Sequence, residues 1–80
     1  MKTLREWRAE QLLGVKALAK KAGVSNTTII QIERGEQVPL FRTMRRLSDA
    51  LEVDPKEIAE FAEAIKQRSV VEFPQVKIAA

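Results

Sequence analysis

The sequence predicts an all-α fold of five short helices with a short extended C-terminal tail. Three observations predict it. Apolar residues recur three and four positions apart from Leu4 to Ile65, the spacing of one helical face. Glycine, proline and small hydroxyl residues interrupt that pattern at helix-length intervals. The 80 residues include no cysteine and no histidine, so neither disulfides nor a cysteine or histidine metal site can hold the chain together. A chain of this length is expected to be one domain near the lower limit for burying its own core, so helix packing, alone or together with dimerisation, must stabilise it.

The first helix is expected over about Thr3–Gln11, with Leu4 and Trp7 on one face. Leu12-Leu13-Gly14 either continues it or caps it. The second spans about Val15–Ala22, where Val15, Leu18, Ala19 and Ala22 form a buried stripe and Lys16, Lys20 and Lys21 lie off it. Gly23 then ends the helix at little steric cost. Ser25 caps the third helix, which runs to about Arg34 before Gly35. Its β-branched run Thr27-Thr28-Ile29-Ile30 also suits a strand. The cap, the terminal glycine and the Ile29/Ile32 pair decide for helix.

After the loop Glu36–Pro39, a fourth helix runs from about Leu40 to Leu51, with Phe41, Met44, Leu47, Ala50 and Leu51 inward. The fifth carries the clearest start signal. Asp54 caps, Pro55 takes the first helical position, and Glu57 completes a capping-box-like pattern. Ile58, Phe61, Ala62 and Ile65 make its stripe. From Ser69 the character changes to a strand-like tail with Val70, Val71, Phe73, Val76 and Ile78, interrupted by Pro74. The expected division is a domain over residues 1–68 and a tail over 69–80.

Charge is distributed unevenly. Residues 1–46 hold 10 basic and 4 acidic side chains, a balance of +6, and residues 47–80 hold 4 and 7, a balance of −3. A basic front half suits a polyanion bound on one face. Nothing approaches the roughly 20 apolar residues of a membrane helix, and the first residues lack the apolar run of a secretory signal, so the cytoplasm is expected and no membrane partner. Catalysis finds no histidine or cysteine and no glycine-rich phosphate loop. Glu57, Glu60 and Glu63 read as a solvated stripe rather than an active site. No enzyme, cofactor or metal is expected.

Function concentrates in Val15–Arg34. Two short helices meet across a turn containing Gly23, with small Ala19 where they cross and Val24, Ile29 and Ile32 as anchors. At about 100° per residue, Ile29 and Ile32 define the core side of the third helix. The opposite side then presents Thr27, Ile30, Gln31 and Arg34, with Asn26 at its edge. Amides there can pair with adenine, and methyl groups can touch thymine methyls in a major groove.

The chain resembles the lambda-repressor-like family, also called the Cro/C1 or Xre type. The resemblance covers about residues 3–66. It rests on Leu18-Ala19, Ala22-Gly23-Val24-Ser25, Thr28-Ile29 and Ile32-Glu33-Arg34-Gly35, continuing through Pro39, Leu47, Ala50-Leu51 and Val53. It implies a five-helix helix-turn-helix domain that binds a pseudo-palindromic double-stranded operator as a homodimer and regulates transcription, as a repressor. It assigns base reading to Asn26, Thr27 and Gln31, and the helical wheel adds Ile30. It also implies an ion pair between Arg8 and Glu33, which spacing alone does not show.

Phosphate contacts are expected around the third helix, from Lys16, Ser25, Thr28, Arg34, Arg42, Thr43, Arg45 and Arg46. The amino end of the fourth helix, near Phe41, Arg42 and Thr43, offers backbone amides and a cation. Three positions depart from the family pattern. Val15 stands where a glutamine usually grips phosphate, Gly14 where a hydroxyl usually caps, and Leu40 where a small polar cap usually opens helix 4. The alternative reading is an antitoxin or adaptor module. Its tail residues Val70, Val71, Phe73, Val76 and Ile78 then bind a protein partner or pair across a dimer.

Overall fold

Thr3 opens the first helix by local chemistry. Its hydroxyl accepts from the Glu6 amide while the Glu6 carboxylate accepts from the Thr3 amide, a reciprocal capping box. From there the chain forms α1 (Leu4–Glu10), α2 (Val15–Ala22), α3 (Asn26–Glu33), α4 (Phe41–Leu51) and α5 (Ala59–Glu72), with a 3-10 turn at Pro55–Glu57. The computed structural model describes residues 1–72, with side chains through Arg68.

The β-branched run of α3 is helical because Ser25 caps it and Ile29 and Ile32 are fully buried beneath it. Tertiary burial outweighs a propensity difference of a few tenths of a kcal/mol per residue. The core gathers apolar residues from every helix: Leu4, Leu18, Ala19, Ala22, Ile29, Ile32, Met44, Leu47, Ala50, Leu51, Ile58, Phe61 and Ala64. Each large side chain withdrawn from water here contributes about 1.5–3 kcal/mol. Trp7, Leu13, Val15, Val24, Phe41, Val53 and Ile65 pack around that centre half-buried. On α5 the fully buried alanine is Ala64, and Ala62 of the expected stripe is half-buried.

Two expectations for the C-terminal third are corrected. Asp54 and Pro55 open a single 3-10 turn rather than the fifth helix, with the Asp54 carboxylate accepting from Lys56. Ile58 then turns extended and fully buried, and α5 begins at Ala59. The core requires the Ile58 side chain, and a continuous helix does not supply that bend. The Ala59 amide donates instead to the Lys2 carbonyl at 2.9 Å. The second correction concerns the tail. α5 runs through Glu72, so Val70 and Val71 lie on helical backbone, not on a strand. An established helix gains one hydrogen bond with each added residue, whereas a lone strand has nothing to pair with. Phe73, Pro74, Val76 and Ile78 lie outside the described residues.

Side chains reaching distant backbone fix how the ends meet. The Leu4 amide donates to Glu60 at 2.7 Å, Trp7 Nε1 to the Glu57 carbonyl at 3.0 Å, and Gln11 to the Leu51 carbonyl at 2.7 Å. Lys2 pairs with Glu10 and lies over the Trp7 ring. Arg68 donates to the carbonyls of Val38 and Pro39, fastening α5 to the strap that leads into α4. Leu12 and Glu52 hold left-handed backbone (φ 58° and 60°) although neither is glycine. Leu12 is also 92% exposed.

Candidate nucleic-acid interface

α2 and α3 are joined by a turn that sequence and geometry both specify. Gly23 takes φ 74°, which a side chain rarely adopts, and its amide closes α2 onto the Ala19 carbonyl. Ser25 then accepts from the Thr28 amide at 3.1 Å, and the two hydroxyls share a 2.8 Å hydrogen bond. The turn is also held from outside. Arg46 Nη1 on α4 donates to the Gly23 carbonyl at 3.2 Å.

α3 lies on this support with two unlike sides. Ile29 and Ile32 are buried, while Asn26, Thr27 and Arg34 are exposed and Gln31 is half-buried. Ile30 is 37% exposed, an apolar side chain at the surface among polar ones. Glu33, at the end of the helix, turns back to the body. Its carboxylate receives both Arg8 Nε at 2.8 Å and Arg8 Nη2 at 3.1 Å, with the two side chains only 14% and 11% exposed. Arg8 Nη1 donates to the Leu13 carbonyl. One fork therefore ties α1, the α1–α2 loop and the end of α3 together. The only acidic side chain on α3 is thereby neutralised and withdrawn from the outward side.

The residues expected to hold phosphates around α3 differ in exposure and surroundings. Lys16, Arg34 and Arg42 are exposed and Thr43 is half-buried. Arg34 comes within 4.0 Å of Glu36, with both side chains largely exposed, a contact of little energetic weight. Arg45 and Arg46 are neighbours in sequence but point about 100° apart around α4. Arg46 reaches the α2–α3 turn, while Arg45 lines a groove with Phe41, Met44, Ser48, Asp49, Pro55 and Ile65. The link from Arg46 to Gly23 had no sequence signal, because nothing in the spacing of the two residues marks a bond across 23 positions.

Neither α2 nor α4 has a side-chain cap at its amino end, since Gly14 and Leu40 carry no hydroxyl or carboxylate. Val15 packs half-buried against the core. Among the described residues, no helix is long and apolar enough to cross a membrane.

A family model described as helix-turn-helix matches residues 4–58, from the start of α1 through the turn that precedes α5. The chain belongs to this family, the lambda-repressor-like, Cro/C1 type of helix-turn-helix protein. It is accordingly a DNA-binding regulator of transcription in the general sense of that family. No curated protein and no solved structure matches the chain.

Proposed function

We propose that this helix-turn-helix protein acts in the cytoplasm as a homodimeric repressor that reads a pseudo-palindromic operator with α3 in the major groove. One observation carries the reading: α3 buries Ile29 and Ile32 and leaves Asn26, Thr27 and Ile30 outward, beside half-buried Gln31. Asn26 and Gln31 supply amides for adenine edges, and Thr27 and Ile30 supply methyl groups for thymine. Lys16, Ser25, Thr28, Arg34, Arg42 and Thr43 hold the flanking phosphates. Arg46 contributes while bridging to the turn. Arg45, on the groove flank, is the weakest phosphate candidate of the set.

The uncapped starts of α2 and α4 and the apolar Val15 lower the affinity of one domain for its half-site. Dimerisation offsets this, with half-sites about 34 Å apart or a multiple of it. In-vitro selection from random duplexes followed by fluorescence anisotropy tests the reading. Gln31→Ala is expected to relax discrimination at one base pair by about 1–3 kcal/mol. Arg42→Ala is expected to weaken all sequences alike and to reduce the salt slope by about one. If neither variant changes binding to any duplex, the reading fails.

A further inference from the structure

The direction of α3 depends on one peptide group. Gly23 has no side chain, and its backbone angles, φ 74° and ψ 35°, set the course on which the chain leaves α2. Only Val24 and Ser25 separate it from the first residue of α3. The peptide between Gly23 and Val24 is held at both edges. Its N–H donates to the Ala19 carbonyl at 3.0 Å, and its C=O accepts from Arg46 Nη1 at 3.2 Å. The Ala19 bond lies within α2 and moves with it. The Arg46 bond comes from α4. The direction of a carbonyl is the ψ angle of its own residue, so Arg46 acts on ψ of Gly23, the angle that a glycine leaves softest.

Arg46 also follows Arg42 by one turn of α4, about 6 Å along the helix, and both side chains are exposed. We propose that Arg46 is a positioning residue for base reading: it fixes the angle of α3 relative to the phosphates held at the amino end of α4. This role rests on the reading of α3 as the helix that meets bases. It adds to the determinants of sequence discrimination a residue that touches no base.

A positioning role differs in its consequences from an ordinary phosphate contact. Losing a phosphate contact weakens every duplex alike, because phosphates carry no sequence information. Releasing the Gly23 carbonyl leaves the base-reading side chains in place but lets α3 take several angles. Paired hydrogen bonds between an amide and adenine need one geometry and suffer most, so the right sequence loses more than the wrong one. The bond is exposed, so its share in folding is small. Arginine suits both tasks at once. One guanidinium nitrogen holds the carbonyl, and the remaining donors of the planar fork can face a phosphate.

Fluorescence anisotropy on the full-length chain tests this role, with the best duplex from in-vitro selection and a scrambled duplex of the same composition. Arg46→Ala and Arg42→Ala remove the same charge, and both are expected to weaken binding to the scrambled duplex. Arg46→Ala alone is expected to lower the ratio of the two affinities as well, by about fivefold, the equivalent of one hydrogen bond. Its melting temperature is expected to stay close to that of the unaltered chain, which separates aim from folding. Combined with Gln31→Ala, it is expected to lose less discrimination than the two single losses together, because an amide on a loosely aimed helix has less to lose. A ratio unchanged in Arg46→Ala, with weaker binding to both duplexes, makes Arg46 a phosphate ligand only. That result overturns the proposal and leaves the reading of α3 intact. Strictly additive losses with Gln31→Ala overturn it too, as does an equal fall in the ratio for Arg42→Ala. An unaltered chain with no preference between the duplexes fails the reading of α3 itself, and the proposal with it.

Discussion

α3 and α5 are held in place by different means. α3 is specified almost entirely by its own neighbourhood: Ser25 caps it, Gly23 sets the turn before it, and Ile29 and Ile32 seat it. α5 is positioned by partners far away in sequence. The Lys2 carbonyl receives its first amide, Glu60 receives the Leu4 amide, and Arg68 grips the Val38 and Pro39 carbonyls. A locally specified helix can be read from the sequence, and substitutions in it act nearby. A remotely specified helix is harder to read, and its substitutions are felt at the other end of the contact. The exception on α3 is the Arg8–Glu33 fork, whose members lie 25 positions apart.

That exception gives the largest expected effect. Glu33→Ala leaves the Arg8 guanidinium shielded and unpaired, and chemical denaturation is expected to record a loss of about 3 kcal/mol. Replacing both with apolar residues, as in Arg8→Met with Glu33→Leu, is expected to recover most of it. A loss of similar size in the double variant means that the pair supplies net attraction rather than avoiding a stranded charge.

Glu60→Ala separates local from remote control. It removes the acceptor of a part-buried amide, at a cost of about 1–2 kcal/mol. Hydrogen exchange is expected to quicken at Leu4 and along α1 while α3 stays protected. Faster exchange confined to α5 itself means that Glu60 acts locally and not across the chain. Ser25→Ala is the local counterpart. Losing the cap costs about 1 kcal/mol, with exchange rising at Thr28 and little change in α5.

The smallest effect runs the other way. Glu52 closes α4 in left-handed backbone at φ 60°, where a Cβ is unfavourable. Glu52→Gly is expected to raise stability by about 0.5–1 kcal/mol, read as a higher melting temperature. An unchanged melting temperature means that the unfolded chain gains as much freedom as the folded turn loses strain.

The legible and illegible parts of the sequence divide along the same line. α2 was readable to the residue, because its stripe Leu18-Ala19-Ala22 ends on a glycine that terminates it. The two sides of α3 follow from rotation about its axis, except that Gln31, on the outward side of that rotation, is half-buried, which depends on neighbours the rotation does not contain. Asp54 and Pro55 correctly marked a start, but not that Ile58 would interrupt the helix, since the interruption depends on the core and on Lys2. Arg45 and Arg46 looked alike as two adjacent cations, and only the orientation of α4 separates one from the other. The Arg8–Glu33 contact came from family resemblance and not from spacing.

The grip of Arg68 on Val38 and Pro39 matters for anyone shortening the protein. The family match ends at residue 58, which invites a minimal fragment cut soon after it. Such a fragment loses the guanidinium that steadies the lead-in to α4, the helix whose arginine in turn braces the α2–α3 corner. A trimmed domain retains every side chain proposed to touch a base, yet presents them on a looser mount.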